Sequence, residues 1–373
     1  MDFFQRQANA RRRTGWLLVY FALAIVFTAA MFYVISLAPY FNAHPEKEGL
    51  FWHPELFMQV AGVTVVIIAI GSLCKLAKLR KGGKAIAIAL GGRALTNPSS
   101  DADERELQNI VEEMSIASGL NAPAIYVLDN EPGINAFAAG FTTEDAVIGV
   151  TKGAMRLLTR DELQGMIAHE FSHILNGDMR LNLRLVSWIH GIMWIALVGQ
   201  AVLRAARACV MWNSESDLKK AGLGLFFFGS IVGAVVYGLG SMGALFGRLI
   251  KSAVSRQREF LADAAAVQFT RNPLGLANAL KKIGGLADGS RLRSPLAPEA
   301  SHMFFGNGLR GSWFGFFSTH PSLKKRIKLL DPSFDGRFPQ VMMLPGSLLV
   351  PPVIPPVIPP PLVPPVIRQV SNS

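Results

Sequence analysis

The sequence predicts a mainly α fold with a small β-sheet, an α+β chain carried on four transmembrane helices. Three observations lead there. Half of the 373 residues are hydrophobic and only 17% are charged, where soluble domains carry about 25% charge. The apolar residues gather in four uncharged runs, each long enough to cross a bilayer. Between and after those runs, segments of ordinary polarity carry helix caps and a few short β-rich stretches. The same composition excludes a disordered chain, which would be polar and highly charged. It also excludes a disulfide scaffold, because the two cysteines, Cys74 and Cys209, lie in or beside apolar runs.

The first run is Trp16–Leu37, with Trp16 and Tyr20 at one end and Tyr33 and Tyr40 at the other. It exceeds the roughly 7–15 residues of a signal-peptide core, and no small-residue cleavage site follows, so a retained anchor is expected. The second is Leu56–Cys74. Arg6, Arg11, Arg12 and Arg13 precede the pair, and Lys75, Lys78, Arg80, Lys81 and Lys84 follow it. The intervening loop Ala38–Glu55 holds one Lys and three Glu. Positive charge marks the cytoplasmic side, so both flanks are expected inside and the loop outside. Much of the net charge of +11 is thereby assigned to the membrane surface. Nucleic acid is not an expected partner, since no basic stripe is interleaved with stacking aromatics. His53, in the outer loop, is expected to have no local partners.

The third and fourth runs are Leu185–Leu203 and Ala221–Leu245, the latter with Gly229-x-x-x-Gly233 and, at its end, Gly243-x-x-x-Gly247. Small residues four apart let helices approach closely in lipid; a buried hairpin in a soluble core is the other reading. Residues 1–84 are thus expected as a membrane anchor, 85–184 as a cytoplasmic region, 185–247 as a transmembrane hairpin and 248–343 as a second cytoplasmic region. Residues 344–373 form a proline-rich tail.

Within the polar segments, Ala102–Ser118 reads as an amphipathic helix, with Leu107, Ile110, Val111 and Met114 at helical spacing. Ala124–Leu128 and Ala146–Val150 read as strands, with a further strand in Asn135–Phe141. If this is an edge strand, an extended peptide could pair along Asn135, Ala136, Phe137 and Ala138 by β-augmentation; an ordinary sheet strand is the alternative. Thr159-x-x-Glu162 is a capping box opening a helix to about Asn176, where Gly177 stops it. After the fourth run a separate helix is expected over Gln257–Phe269. Another follows, capped by Asn272-Pro273, to about Ile283. An aromatic loop spans Ala287–Phe317, and a basic helix runs from His320-Pro321 to Leu330. The tail from Leu344 repeats P-P-V-I and is polyproline-like.

Chemistry concentrates in His169-Glu170-Phe171-Ser172-His173. Histidines at i and i+4 share a helical face and can hold one zinc ion, with the intervening glutamate reaching an activated water. A catalytic zinc needs a third protein ligand. The metzincin spacing would require histidine where Met179 stands. Asp178 is too close in sequence, and Glu215 and Asp217 fall in the far-side loop if the last two runs cross the bilayer. Glu259 returns to the starting side and is the expected ligand, with Asp263 one turn on as acceptor for a ligand's ring N–H. The alternative for Glu259 is a surface acid paired with Arg256 or Arg258.

Four motifs occur in order: N-A-F-A-A-G from Asn135, H-E-F-S-H-I-L-N-G-D-M from His169, S-R-Q-R-E-F-L-A-D from Ser255 and S-T-H-P-S-L-K-K-R-I from Ser318. In this the chain resembles the HtpX-type membrane zinc metalloproteases, relatives of the CAAX prenyl endopeptidases and the mitochondrial Oma protease. The resemblance spans about residues 85–331 plus the two N-terminal runs. It implies a gluzincin-like metalloprotease fold, one Zn2+ per chain at His169, His173 and Glu259, and Glu170 as general base. It also implies polypeptide substrates, membrane proteins among them, and a quality-control role at the cytoplasmic face of a bacterial inner membrane. The family motif sets His320 near the site, a candidate oxyanion donor, with Arg326 a weaker one. The proline-rich tail departs from the family pattern. The alternatives are a narrow-specificity processing protease and a non-catalytic membrane scaffold with a structural zinc; the latter would not need Glu170.

Overall fold

The computed structural model describes residues 3–47, 52–79, 82–96, 98–212, 216–286, 290, 292–294, 303–306 and 318–339. All of these lie in one compact unit, residues 1–342. The proline-rich tail and most of the aromatic loop lie outside the described residues.

Among the described residues, four helices are long and apolar enough to cross a membrane: α1 (Phe3–Ala43), α2 (Pro54–Leu79), α7 (Asp178–Trp212) and α8 (Ser216–Thr270). Their outward faces stay apolar, with Phe228 62% and Ile231 65% exposed. A surface of that kind is suited to lipid and unsuited to water. Ile68 of α2, Ile189, Ile192 and Ile195 of α7 and Ala244 of α8 form a core between the helices. Near the loop joining α1 and α2, His53 is buried: its backbone N–H donates to the Tyr33 hydroxyl at 2.8 Å, and its ring packs on Tyr40 and Phe41. The expectation that it lacks local partners is therefore corrected. The loop folds back onto the end of α1, and aromatic contacts that bridge the two were not visible in linear order.

Helix α8 corrects a second expectation. The segment Gln257–Phe269 is not a separate helix but the continuation of the fourth membrane helix, 55 residues in all. Residues 246–256 contain no proline and one glycine, so nothing in them breaks the helix. At 1.5 Å per residue such a helix is about 80 Å long, well beyond a bilayer core of about 30 Å. Similarly, α7 starts at Asp178, seven residues before the apolar run that announced it.

Helices α7 and α8 pack backbone to backbone. A Cβ on Gly199 would strike the Tyr237 backbone, one on Gly240 the Ala196 backbone, and one on Gly233 both Leu203 and the Gly199 carbonyl. Gly229 meets Ala206, and Gly243 meets Ile192. Of the glycines singled out in sequence, Gly229, Gly233 and Gly243 thus face the partner helix, as close approach in lipid requires.

The polar segments supply α3 (Gly82–Ala89), α4 (Ala102–Ser118), α5 (Lys152–Leu157), α6 (Arg160–Leu175), α9 (Pro273–Gly285) and α10 (Leu323–Leu330). They also supply a four-stranded sheet of β1 (Arg93–Ala94), β2 (Ala124–Leu128), β3 (Ala136–Ala139) and β4 (Val147–Thr151). The order is β1-β2-β4-β3, with β2 parallel to β4 and the other pairs antiparallel. Strand β3 is therefore an edge strand. Gly149 of β4 leaves room for the Phe137 ring, which a Cβ there would hit. The α6 capping box forms as the sequence predicts, with the Thr159 N–H donating to Glu162 at 2.7 Å. Asn272 caps α9 through Gly275 N–H.

The helix contact makes a direct prediction. Gly240→Val should lower the thermal stability of the full chain in detergent, by about 1–3 kcal/mol for an overpacked site. Gly238→Ala, at an open position on the same helix, should be neutral or slightly stabilising. Equal effects of the two would contradict the packing.

Candidate metal centre

Helix α6 lays its His169-Glu170-x-x-His173 face against α8 and the edge strand β3. His169 and Glu170 are fully buried, and the His173 side chain is 16% exposed. The two Nε2 atoms lie 3.1 Å apart. Glu259, on α8 and buried, brings Oε2 to 3.6 Å from His169 Nε2 and Oε1 to 3.5 Å from His173 Nε2. A ligand atom from each of the three residues lies within 4.8 Å of the others. A tetrahedral zinc with bonds of about 2.0–2.1 Å has ligand–ligand edges of about 3.3–3.4 Å, close to these separations.

Both imidazoles are aimed from behind. His169 Nδ1 is 3.0 Å from Asp263 Oδ1, and Arg326 binds the same carboxylate with Nε at 2.9 Å and a terminal nitrogen at 2.7 Å. Arg326 also reaches Glu259 Oε2 at 3.0 Å and lies against the Phe305 ring. On the other side, His173 Nδ1 is 2.7 Å from Asp178 Oδ2. Arg258 pairs with Asp178 and donates to the Asn176 carbonyl at 2.7 Å. With both Nδ1 atoms facing carboxylates, the protons belong on Nδ1 and the lone pairs on Nε2, the tautomer a metal needs.

The electrostatics fit a divalent cation. Glu170, Glu259, Asp263 and Asp178 are buried, and two guanidiniums, Arg258 and Arg326, contact them. With the imidazoles neutral and Glu259, Asp263 and Asp178 ionised, at least one negative charge is left over beyond the two guanidiniums, and burial makes it costly. Burial pushes His169 down to about 4, so it is neutral at physiological pH. Burial also opposes charge on His173, but the Asp178 and Glu259 carboxylates outweigh it and raise that imidazole well above its ordinary range. Burial raises Glu170 to about 7, partly opposed by the nearby Ala138 backbone, and neither of its oxygens has a well-aligned hydrogen bond among the described residues.

The cleft beside these residues is lined by Ala138 of β3, Glu170, Met179, Asn182, Ser255 and Phe304 among others. The open edge of β3 is partly filled by the chain itself. Phe304 bridges to Phe137 antiparallel, and Phe305 N–H donates to the Ala136 carbonyl at 2.8 Å. Asn135 is held by Ser290 and Gly306, its Nδ2 donating at 2.6 Å and its Oδ1 accepting at 3.2 Å. Of the four residues read from sequence as a substrate edge, Asn135, Ala136 and Phe137 face this internal partner, and Ala138 borders the cleft. His320 Nδ1 lies 3.1 Å from Glu259 Oε2 without alignment for a hydrogen bond, and both ring nitrogens lack hydrogen bonds among the described residues.

Several expectations meet their outcome here. His169, His173, Glu259 and Asp263 converge. Glu259 is not a surface acid: it is 4% exposed, while Arg258 turns to Asp178 and Arg256 donates to the Ser318 carbonyl. Glu215 falls outside the described residues. Arg326 is not available to an oxyanion, because it is fully buried and engaged by two carboxylates and the Phe305 carbonyl. Asp178 and Arg258 were missed. The available signal was Gly177, whose φ of 66° turns the chain back immediately after α6.

The family described as Peptidase family M48 matches residues 101–333. "Protease HtpX homolog" of Caldanaerobacter subterraneus subsp. tengcongensis is 39% identical over 60% of this chain and 70% of its own length. The protein of that name from Syntrophobacter fumaroxidans is 35% identical over 62% and 78%, and that from Streptococcus gordonii is 29% identical over 88% and 98%. The crystal structure of S. mikatae Ste24p aligns at 16% identity with a TM-score of 0.44, covering 87% of this chain and 67% of that one.

The ligand set predicts that purified protein carries about one equivalent of a divalent metal. His169→Ala and Glu259→Ala should each lose it, measured by elemental analysis after dialysis against a weak chelator. Retention of the full equivalent in both would refute the site.

Proposed function

The chain belongs to peptidase family M48, and on that premise we propose that it is a membrane-embedded, zinc-dependent endopeptidase. In this reading it cleaves misfolded or damaged membrane proteins at the cytoplasmic face of a bacterial inner membrane. The observation that carries the reading is the convergence of His169, His173 and Glu259 beside a fully buried Glu170 whose oxygens have no well-aligned hydrogen bond among the described residues. A structural zinc would not require that carboxylate. The charge pattern around the first two apolar runs supports the orientation. The separation of Glu259 from His173 by two apolar runs returns both to one side.

His169, His173 and Glu259 would hold the metal. Zinc bound there would supply a Lewis acid that polarises the attacking water and the scissile carbonyl. Glu170 takes the proton of that water and delivers it to the leaving amine as the C–N bond breaks. Its raised proton affinity, about 7, suits a group that must both accept and release a proton. His320, whose Nε2 has no hydrogen bond among the described residues, can donate to the oxygen that becomes negative in the tetrahedral intermediate. Ala138 offers main-chain groups at the rim of the cleft, where an extended substrate can pair without regard to side-chain identity. Met179 and Phe304 make part of the same wall apolar, as suits hydrophobic segments of membrane proteins.

Two variants test the assignments. Glu170→Gln should retain zinc and lose cleavage by about 10²–10⁴-fold, measured on several unrelated denatured substrates. Many cut sites in each would support broad clearance, and one shared cut would favour processing; chelator-insensitive cleavage would overturn the proposal. His320→Ala should lower kcat by about 10²–10³-fold with little change in KM, the pattern of an interaction made only in the transition state.

A further inference from the structure

The His173 side of the centre contains two charged residues, Asp178 and Arg258, that take no part in the proton transfers described above. Asp178 is 2% exposed and is the first residue of membrane helix α7. Its carboxylate divides between two partners: Oδ2 faces His173 Nδ1 at 2.7 Å, and Oδ1 is taken by Arg258. Arg258 immediately precedes Glu259 on α8 and also holds the Asn176 carbonyl, which closes the turn from α6 into α7. One guanidinium thus fixes the end of the helix bearing both histidines, the start of the third membrane helix and the acid behind His173.

We propose that Asp178, clamped by Arg258, is the positioning residue for His173 as a metal ligand. The inference rests on the reading of His169, His173 and Glu259 as ligands. The physical basis is the tautomer and the ring direction. An imidazole that donates Nδ1–H to a carboxylate presents Nε2 as a more basic lone pair in a fixed direction. Asp263 and Arg326 do this for His169, and Asp178 and Arg258 do it for His173. The second pair differs in what it is attached to. Asp178 and Arg258 stand on the two membrane helices, so the direction of the His173 ring depends on how α7 and α8 sit against each other. The negative charge of Asp178 at the N-terminus of α7 also suits the helix dipole, so the residue has a structural contribution that the test must separate from its action on the metal.

The experiment uses the full chain in detergent, with zinc affinity measured by competition against a chromophoric chelator. The visible spectrum of the cobalt(II)-loaded protein and the melting temperature of the metal-free protein complete the set. Asp178→Ala should weaken zinc about 10–100-fold and shift the cobalt bands, because the His173 ring is released. Asp178→Asn keeps an acceptor and the volume but loses the charge, and should show a smaller loss in the same direction. If Asp178→Ala does not fold, Asp178→Asn alone decides. A merely structural aspartate would lower the melting temperature and leave affinity and cobalt bands as in the parent, and that result overturns the proposal. His169→Ala is the control for the underlying reading. Loss of zinc there, with parent affinity in the Asp178 variants, rejects the positioning role alone. Parent affinity in His169→Ala rejects the ligand set and this inference with it.

Discussion

Negative charge held out of water at one point is the constraint around which the rest of the molecule is arranged. Glu259, Asp263 and Asp178 are buried within contact distance of the two imidazoles, and a fully buried Glu170 lines the same cleft. Each uncompensated ion in such a place costs several kcal/mol. Arg326, the largest fully buried side chain, and Arg258 offset part of that cost and fix the acids in direction as they do so. What they leave is net negative charge of the kind a divalent cation offsets, beside two imidazole nitrogens and a carboxylate that lie within reach of one ion. Supporting acids and bases of this kind set a metal's affinity as much as its ligands do.

The elements that deliver these groups come from distant parts of the sequence, and rigidity rather than proximity brings them together. Glu259 is carried on a helix that continues from the membrane, so its position is set by how that helix is seated against α7. The seating relies on Gly199, Gly233 and Gly240, where any side chain would push the backbones apart. A glycine contact in the lipid region and a carboxylate at the metal centre are therefore parts of one mechanical unit. The single-glycine turn between α6 and α7 has the same effect from the other side.

The edge strand shows how little open pairing surface remains beside the centre. Residues 303–306 occupy the outer side of β3 at Ala136 and Phe137, and Phe305 lays its ring against His169. This short stretch builds one wall of the cleft and limits main-chain pairing there to the Ala138 end. It also packs edge-to-face on the His169 ring, which helps to keep it from turning.

Much of this was legible in the residue order. The His-Glu-x-x-His spacing, the capping box at Thr159, the periodicity of Ala102–Ser118 and the length of the apolar runs are local properties, and local sterics and hydration decide them. The approach of Glu259 to the two histidines could be anticipated too, on the expectation that an even number of membrane crossings separates them. The partners Asp178 and Arg258, the burial of Arg326, the filling of the β3 edge and the joining of the fourth membrane helix to the Glu259 helix belonged to the tertiary structure. Each depends on which surfaces meet across long stretches of chain. A charge becomes a support, a ligand or a catalytic base only through the neighbours and the dielectric that packing gives it.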